Sequence, residues 1–229
     1  MKFTLAQGIK IVWLICLFPA SLIAQDKLTG GAGGFTVGGT THDVSALNTF
    51  LPESVGSLND NSFQIGGEGY GVYQNWLLGA SGYYTQGDRK ESAGRAYTVN
   101  GGAAFLNFGY VVVQQDKFIA YPKIGIGYAS LGVEEKVDGQ VTYPNEQLLA
   151  AEYNMRSPIL DLGAGLDFFP FEKDGYSLML GLRAGYKLAL GDGEWFHSGG
   201  ELVGDDLPEF EMDGFYLSLT LGGAGFMDR

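Results

Sequence analysis

The chain has little of what usually holds a soluble domain together. Its 229 residues include one cysteine, Cys16, so no disulfide can form within the chain. Charged residues make up 17% of the sequence, whereas soluble domains carry roughly 25%. Basic residues are scarce: 14 Lys and Arg stand against 26 Asp and Glu, for a net charge of −12. This charge would repel a polyanion, so we expect no nucleic-acid partner.

Long apolar runs are also missing, except at the N-terminus. There Lys2 and Lys10 precede a run of 13 almost wholly apolar residues, Ile11 to Ile23, followed by Ala24. A basic start, a short apolar run and a small residue are typical of a secretory signal peptide, whereas an uncleaved membrane anchor needs about 20 apolar residues. We therefore expect residues 1–24 to be a cleaved signal peptide and residues 25–229 to form one domain.

Removal of that peptide would also remove Cys16, leaving a mature chain without cysteine. No later segment has 18 uninterrupted apolar residues. If the mature chain enters a membrane, it must do so as a closed β-barrel, since only helices and closed barrels satisfy their backbone groups in lipid.

Glycine and aromatic residues are abundant. The chain contains 37 Gly, 15 Phe, 13 Tyr and 3 Trp. The aromatic content argues against intrinsic disorder, and the glycines keep no period of three, which excludes collagen. Few charges combined with many glycines and aromatics indicate a membrane barrel.

The hydrophobic pattern after residue 25 has a period of two. In Tyr176 to Leu190, tyrosine, leucine and alanine alternate with small or charged residues that include Arg183 and Lys187. The segments from Leu160 to Phe168 and from Phe215 to Leu221 repeat this alternation. Such alternation predicts strands with one apolar and one small or polar face.

Five weaker strands bring the predicted total to eight. Together they are 31–39, 63–73, 76–85, 95–113, 118–131, 160–168, 176–190 and 215–221. Short connections at 74–75, 114–117 and 170–175 alternate with long ones at 40–62, 86–94, 132–157 and 191–213. This alternation predicts an all-β, antiparallel, up-and-down barrel, with both termini on the periplasmic side because outer-membrane barrels place their short turns there.

On this architecture, residues 30 to 227 resemble the small eight-stranded β-barrel proteins of the Gram-negative outer membrane. The resemblance implies an outer-membrane location with lipid as the surrounding partner. We expect a monomer, because barrel closure removes the sheet edges. The alternative is a soluble barrel such as a lipocalin, with a polar exterior. The charged face here is too sparse to cover such an exterior.

The membrane arrangement turns the sparse polar face inward. The predicted lumen network comprises Glu68, Asn107, Lys123, Asp161, Asp167, Arg183 and Lys187, with Tyr70, Tyr83 and Tyr121 beside them. Three acids face three bases, and the interior of an eight-stranded barrel is only wide enough for side chains to fill. We therefore expect an ion-paired plug and a structural or interaction role. The alternative is a narrow solute channel lined by Lys123, Asp161, Asp167 and Arg183.

Enzymatic function has weaker support in the sequence. Some membrane barrels modify lipid A with a Ser-His-acid set, and His197-Ser198 with Glu194 or Glu201 is the segment here with those residue types. Nothing in their spacing distinguishes these residues from ordinary polar residues of a loop. We therefore expect no catalytic residue and no cofactor.

The loop regions carry two further patterns. Eight acids and no Lys or Arg lie between Gly191 and Asp213. The pattern favours a solvated, self-repelling loop, and Asp205, Asp206, Glu209 and Glu211 are its weak candidate ligands for a divalent cation. In the first loop, helical spacing from Asp43 to Leu51 predicts a short helix capped by Thr41 or Asp43.

Overall fold

The computed structural model describes residues 28–45, 48, 57, 59–92, 95–137, 149–173, 175–191, 193–197 and 212–228. Its strands are β1 (Thr29–Thr41), β2 (Asn61–Tyr73), β3 (Trp76–Ser92), β4 (Arg95–Tyr110), β5 (Val113–Gln115), β6 (Phe118–Val137), β7 (Leu149–Phe168), β8 (Glu172–Lys173), β9 (Tyr176–Ala189), β10 (Glu194–His197) and β11 (Gly214–Asp228). Eight of these strands are long, and β5, β8 and β10 are short.

The eight long strands form one closed ring. Each pairs antiparallel with its sequence neighbour among the long strands, and β11 pairs with β1 to complete the circle. The predicted eight-stranded up-and-down barrel is confirmed. Closure leaves none of the eight strands at an edge. Their backbone N–H and C=O groups can therefore form hydrogen bonds between strands and need no water.

The two ends of the barrel differ. Thr29 pairs with Asp228, so both ends of the barrel sequence lie at the same end as the 74–75 turn. We call this the short-turn end, and the opposite one the long-loop end.

At the long-loop end the strands run beyond the predicted boundaries. β3 reaches Ser92, and β6 and β7 continue to a pair between Lys136 and Leu149. The predicted loops 86–94 and 132–157 are therefore too long. The backbone ladder continues here although the side chains no longer alternate in polarity, because ladder hydrogen bonds do not depend on the side chains.

The outer surface of the ring is apolar. Leu78, Leu106, Ile126 and Leu219 are each at least 60% exposed. Aromatic residues border this belt at both ends. Tyr73, Trp76, Phe168 and Tyr176 lie at its short-turn edge, and Phe63, Tyr84 and Tyr128 at its long-loop edge. From Phe118 to Tyr128 a strand spans about 33 Å, or roughly 25 Å along the axis at the usual tilt.

The interior contains three layers. An apolar layer at the short-turn end is formed by Leu28, Val72, Leu77, Val111, Ile119, Phe169 and Met179, and another at the long-loop end by Val44, Val99, Phe105, Leu131, Met155, Ile159 and Met212. Charged and polar side chains occupy the middle. The sequence pattern missed both apolar layers, because at those heights both faces of a strand are apolar and alternation is lost.

The 74–75 turn is built on two left-handed residues, Gln74 at φ 50° and Asn75 at φ 73°. This geometry matches the right-handed twist of the strands it joins. Asn75 also binds neighbouring segments: its Oδ1 accepts from Leu28 N at 2.8 Å, and its carbonyl accepts from Val111 N at 2.9 Å. The turn therefore also anchors the start of β1 and the end of β4.

The first loop begins with a helical turn, as predicted. Asp43 Oδ1 accepts from Ser45 N at 3.0 Å, and Asn48 N donates to Val44 O at 2.9 Å. The cap is Asp43, because Thr41 Oγ1 instead accepts from Phe215 N. Val44 is buried in the long-loop apolar layer. Leu47 and Leu51 lie outside the described residues.

Candidate functional site

The candidate site is the polar layer in the middle of the lumen. All seven residues of the predicted lumen network have inward positions on their strands, which pair with one another around the ring. Asn107, Lys123, Asp161, Asp167, Arg183 and Lys187 are buried, each no more than 7% exposed. Ionised side chains this deeply buried require partners.

Arg183 is the centre of the first group. Its guanidinium lies 2.5 Å from Glu68 Oε1 through Nη2 and 2.6 Å from Asp167 Oδ1 through Nη1. Its Nε donates to Glu68 Oε1 at 2.6 Å. Since Arg183 is on β9, Glu68 on β2 and Asp167 on β7, this one side chain ties three walls of the barrel together.

Hydroxyl groups complete the shell around these carboxylates. Tyr70 and Tyr121 both donate to Asp167 Oδ2, at 2.5 and 3.0 Å. Thr220 donates to Glu68 Oε1 at 3.0 Å, and its Oγ1 lies 3.0 Å from that of Thr36. The Arg183 guanidinium also stacks 5.5 Å from the centroid of the Tyr121 ring. Charge-assisted hydrogen bonds of this kind stabilise buried carboxylates.

Lys123 and Asp161 form the second group. The Lys123 ammonium lies 2.6 Å from Asp161 Oδ2, and both side chains are almost fully buried. Tyr216 donates to the same Oδ2 at 3.2 Å. This pair is on β6 and β7, next to the wall that carries Asn107, whose Nδ2 donates to Ser81 Oγ at 2.9 Å.

Lys187 has a different environment. Its ammonium donates to Gln64 Oε1 at 3.2 Å across the lumen. It also lies 5.6 Å from the centroid of the Tyr83 ring and 5.3 Å from that of Tyr216, within cation–π range.

Sequence reasoning missed several members of this layer. They are Thr36, Gln64, Ser81, Tyr216 and Thr220, all at inward positions. Thr36 contacts Thr220, and the other four bind predicted residues. Their signal was available in principle, since each lies an even number of positions from an inward residue on its own strand. Small hydroxyl and amide side chains occur on both faces of strands, however, so only the pairing partners identify them.

Glycine makes room for the large lumen side chains. A Cβ at Gly165 would overlap the Tyr121 ring, and one at Gly163 would overlap the hydroxyl of Tyr216. A Cβ at Gly181 would lie 2.6 Å from Asp167 Oδ1 and 2.8 Å from the Arg183 guanidinium. Each of these glycines thus leaves the space that a large lumen side chain occupies, which allows a narrow barrel to hold long charged side chains.

The two histidines lie on different elements. His42 follows β1 and is 8% exposed. Neither of its ring nitrogens has a hydrogen-bond partner among the described residues. Burial, followed by the charge of Lys187, lowers the pKa of His42 from 6.5 to about 4. His197 ends β10, whose backbone pairs with β7. Ser198 and Glu201 lie outside the described residues.

The structure offers no support for a metal centre in the part of the chain it describes. No group of three or more His, Cys, Asp or Glu side chains there is placed to share a metal ion. The candidate cation ligands Asp205, Asp206, Glu209 and Glu211 lie outside the described residues. No helix in the described segments is long and apolar enough to cross a membrane.

Comparison with known proteins identified structural similarity only. No family model matches the chain, and no curated protein matches it. Ail, the attachment invasion locus protein of Yersinia pestis, is similar with a TM-score of 0.43 and 14% identity, over 89% of this chain and 100% of that one. OprG, an outer membrane protein from Pseudomonas aeruginosa, is similar with a TM-score of 0.41 and 9% identity, over 88% and 96%. A major outer membrane protein from Thermus thermophilus is similar with a TM-score of 0.39 and 15% identity, over 85% and 99%.

Proposed function

We propose that this chain is an outer-membrane β-barrel with a filled lumen, serving a structural or interaction role at its long-loop end without catalysis. In this proposal residues 1–24 are the cleaved signal peptide and residues 25–229 the barrel. The short-turn end, with both termini, faces the periplasm. Outer-membrane lipid surrounds a monomeric barrel.

The membrane assignment is supported by the inverted distribution of polarity. The exposed belt contains leucine, isoleucine and aromatic residues, whereas Arg183, Asp167 and Asp161 are 0–1% exposed inside. In water such an exterior would expose a large apolar surface to solvent, which soluble monomers rarely do. The approximate 25 Å height of the belt and its aromatic borders match the hydrocarbon band of outer-membrane barrels.

The filled lumen carries the functional part of the proposal. The ion-paired layer around Arg183 lies between two apolar layers, each formed by side chains from several strands. A solute crossing the barrel would have to displace both apolar layers and break buried ion pairs. Closed interiors of this kind suit a barrel that acts through its surface and loops.

Single-channel recording in planar bilayers tests this proposal against the channel alternative. We expect the wild-type barrel to remain silent, with insertion verified by protease protection of the incorporated protein. Arg183→Gln and Lys187→Gln provide the comparison, because both residues would line any passage. Steady wild-type conductance that changes in either variant would favour a narrow channel and refute the filled lumen.

The acidic segment suggests a second partner. We propose that Asp205, Asp206, Glu209 and Glu211 give the 191–213 loop a weak response to calcium or magnesium, in the range of roughly 10⁻⁴ to 10⁻³ M. Divalent cations would reduce the repulsion among closely spaced carboxylates. Millimolar calcium should then slow proteolysis of this loop in the folded barrel. Equal cleavage rates with calcium and with chelator would contradict the idea, as would equal protection after neutralising the four residues.

A further inference from the structure

The long-loop half of the polar layer contains a cation with an unusual set of neighbours. Lys187 starts on β9 and reaches Gln64 Oε1 on β2 at 3.2 Å. Strands β11 and β1 lie between these two in the ring. The hydrogen bond therefore crosses the lumen past β11 and β1, where Lys187 is paired with Gly214 and Gln64 with Gly38.

The charge of Lys187 is not matched by a direct partner. Lys123 and Arg183 each have a carboxylate within 2.6 Å. Among the described residues, no carboxylate oxygen lies within 4 Å of the Lys187 ammonium. Asp161 is opposite Lys187 in the β7–β9 register, but its Oδ2 is bound by Lys123 and Tyr216.

Three polar groups along the path of Lys187 are buried without a hydrogen-bond partner in the described structure. They are Thr40 Oγ1, Gln64 Nε2 and Ser218 Oγ, on residues that are 0–3% exposed. They are close in the ladder: Gly38 pairs with both Gln64 and Ser218, and Thr40 is the next inward residue on β1. Buried polar groups are otherwise nearly always satisfied.

These groups are mainly hydrogen-bond donors. The ammonium retains two N–H groups beyond its bond to Gln64, the carboxamide of Gln64 offers two more, and each hydroxyl adds one. Of the acceptors around them, Gln64 Oε1 is already engaged by the ammonium, and Asp161 Oδ1 is the other buried acceptor on a residue paired with Lys187. Donors converging beside an ammonium that no described carboxylate contacts directly, in an interior filled by side chains, fit a small anion.

We propose that Lys187, Gln64, Thr40 and Ser218 form an internal binding site for a single halide ion, with chloride the physiological occupant. Chloride would accept from the ammonium, the carboxamide and the hydroxyls, and would give Lys187 a counter-ion in direct contact. The site depends on the inner wall of the barrel and not on the proposed surface role, so either can fail alone.

Bromide substitution tests the site directly. Crystals of the folded, detergent-solubilised barrel grown in sodium bromide should show one anomalous peak within hydrogen-bond distance of Lys187 Nζ and Gln64 Nε2. Ordered density at this position with no anomalous signal would show water in place of an ion and would overturn the proposal.

Gln64→Glu provides the matched variant. Glutamate has nearly the same shape, keeps an oxygen for Lys187 and brings the negative charge that the halide would supply. At a chloride concentration ten times the dissociation constant, the unfolding equilibrium constant of the wild type should fall about tenfold relative to gluconate, an anion too large for the site, at equal ionic strength. Gln64→Glu should show no such difference, and Lys117→Gln, at the exposed 116–117 turn, should respond like the wild type. A chloride response retained in Gln64→Glu would also overturn the proposal.

Discussion

At the residue scale, inward glycines determine which large side chains the lumen can hold. Gly165 is directly opposite Tyr121 in the β6–β7 register, and its missing Cβ leaves the space occupied by the tyrosine ring. Tyr121 in turn donates to Asp167. A methyl group at position 165 would therefore displace a buried ring and disturb an ion-paired carboxylate.

We predict that Gly165→Ala destabilises the barrel by about 1–3 kcal/mol, as expected for overpacking. Gly69→Ala is the matched control, because a Cβ there would meet only Ala32 O, at 3.8 Å. The free energies of unfolding in urea, measured in lipid vesicles, provide the comparison. Equal values for the two variants would show that glycine is not required beside Tyr121.

His42 makes stability depend on pH at the long-loop end. Its pKa is 6.5 when unfolded and about 4 when folded, because burial disfavours the charged ring and Lys187 repels it. Below pH 6.5 His42 becomes protonated in the unfolded chain but stays neutral in the folded barrel until the pH nears 4. Stability from this residue is therefore constant above about pH 6.5 and declines as the pH falls towards 4.

We expect this decline to reach on the order of 3 kcal/mol. His42→Leu should remove the His42 part of the slope between pH 6.5 and 4, leaving the contribution of the carboxylates. Unfolding titrations of both proteins in chloride-free buffer would measure it. Parallel pH profiles for wild type and His42→Leu would contradict the prediction.

At the element scale, the 74–75 turn joins three segments of backbone. Asn75 tolerates its left-handed conformation better than most residues, and its side chain binds the buried N–H of Leu28. Replacing it removes an acceptor from a donor that has little access to water. The turn is short, so no neighbouring loop residue is available to compensate.

We predict that Asn75→Ala costs roughly 2–3 kcal/mol, combining backbone strain with the unsatisfied Leu28 N–H. Asn75→Gly relieves the strain alone and should cost less. Asn75→Asp keeps the acceptor and should remain close to wild type. Denaturant unfolding of the three variants separates the contributions, and equal losses in Ala and Asp would exclude the hydrogen bond as a cause.

At the scale of the whole molecule, the exposed belt distinguishes a membrane barrel from a soluble one. Leu219 is 61% exposed at the middle of the belt, between the inward residues Ser218 and Thr220. Tyr73 is similarly exposed at the short-turn edge. The two positions differ mainly in their depth within the proposed hydrocarbon band.

We predict that Leu219→Arg destabilises the barrel in lipid by roughly 2–4 kcal/mol, and that Tyr73→Arg costs about 0–1 kcal/mol, because the penalty for a charge falls towards the interface. Unfolding in lipid vesicles would measure both. For a soluble barrel both changes would lie within about 0.5 kcal/mol of zero, and that result would reject the membrane assignment.

The sequence by itself determined the number of long strands, their order and the inward face of the charged residues in the middle of the lumen. A period of two places Arg183, Lys187 and Asp161 inward whatever the neighbours are, because successive side chains in a strand alternate between faces. Short connections require sequential antiparallel neighbours, so the up-and-down order follows from loop lengths.

Only the tertiary structure decided which of these charges meet. Arg183 binds Glu68, 115 positions away along the chain, and Lys187 binds Gln64, 123 positions away. Such pairs depend on the tilt and register of the closed ring, which no local pattern encodes. The same is true of the two apolar layers, since each is assembled from strands that are individually apolar on both faces at that height.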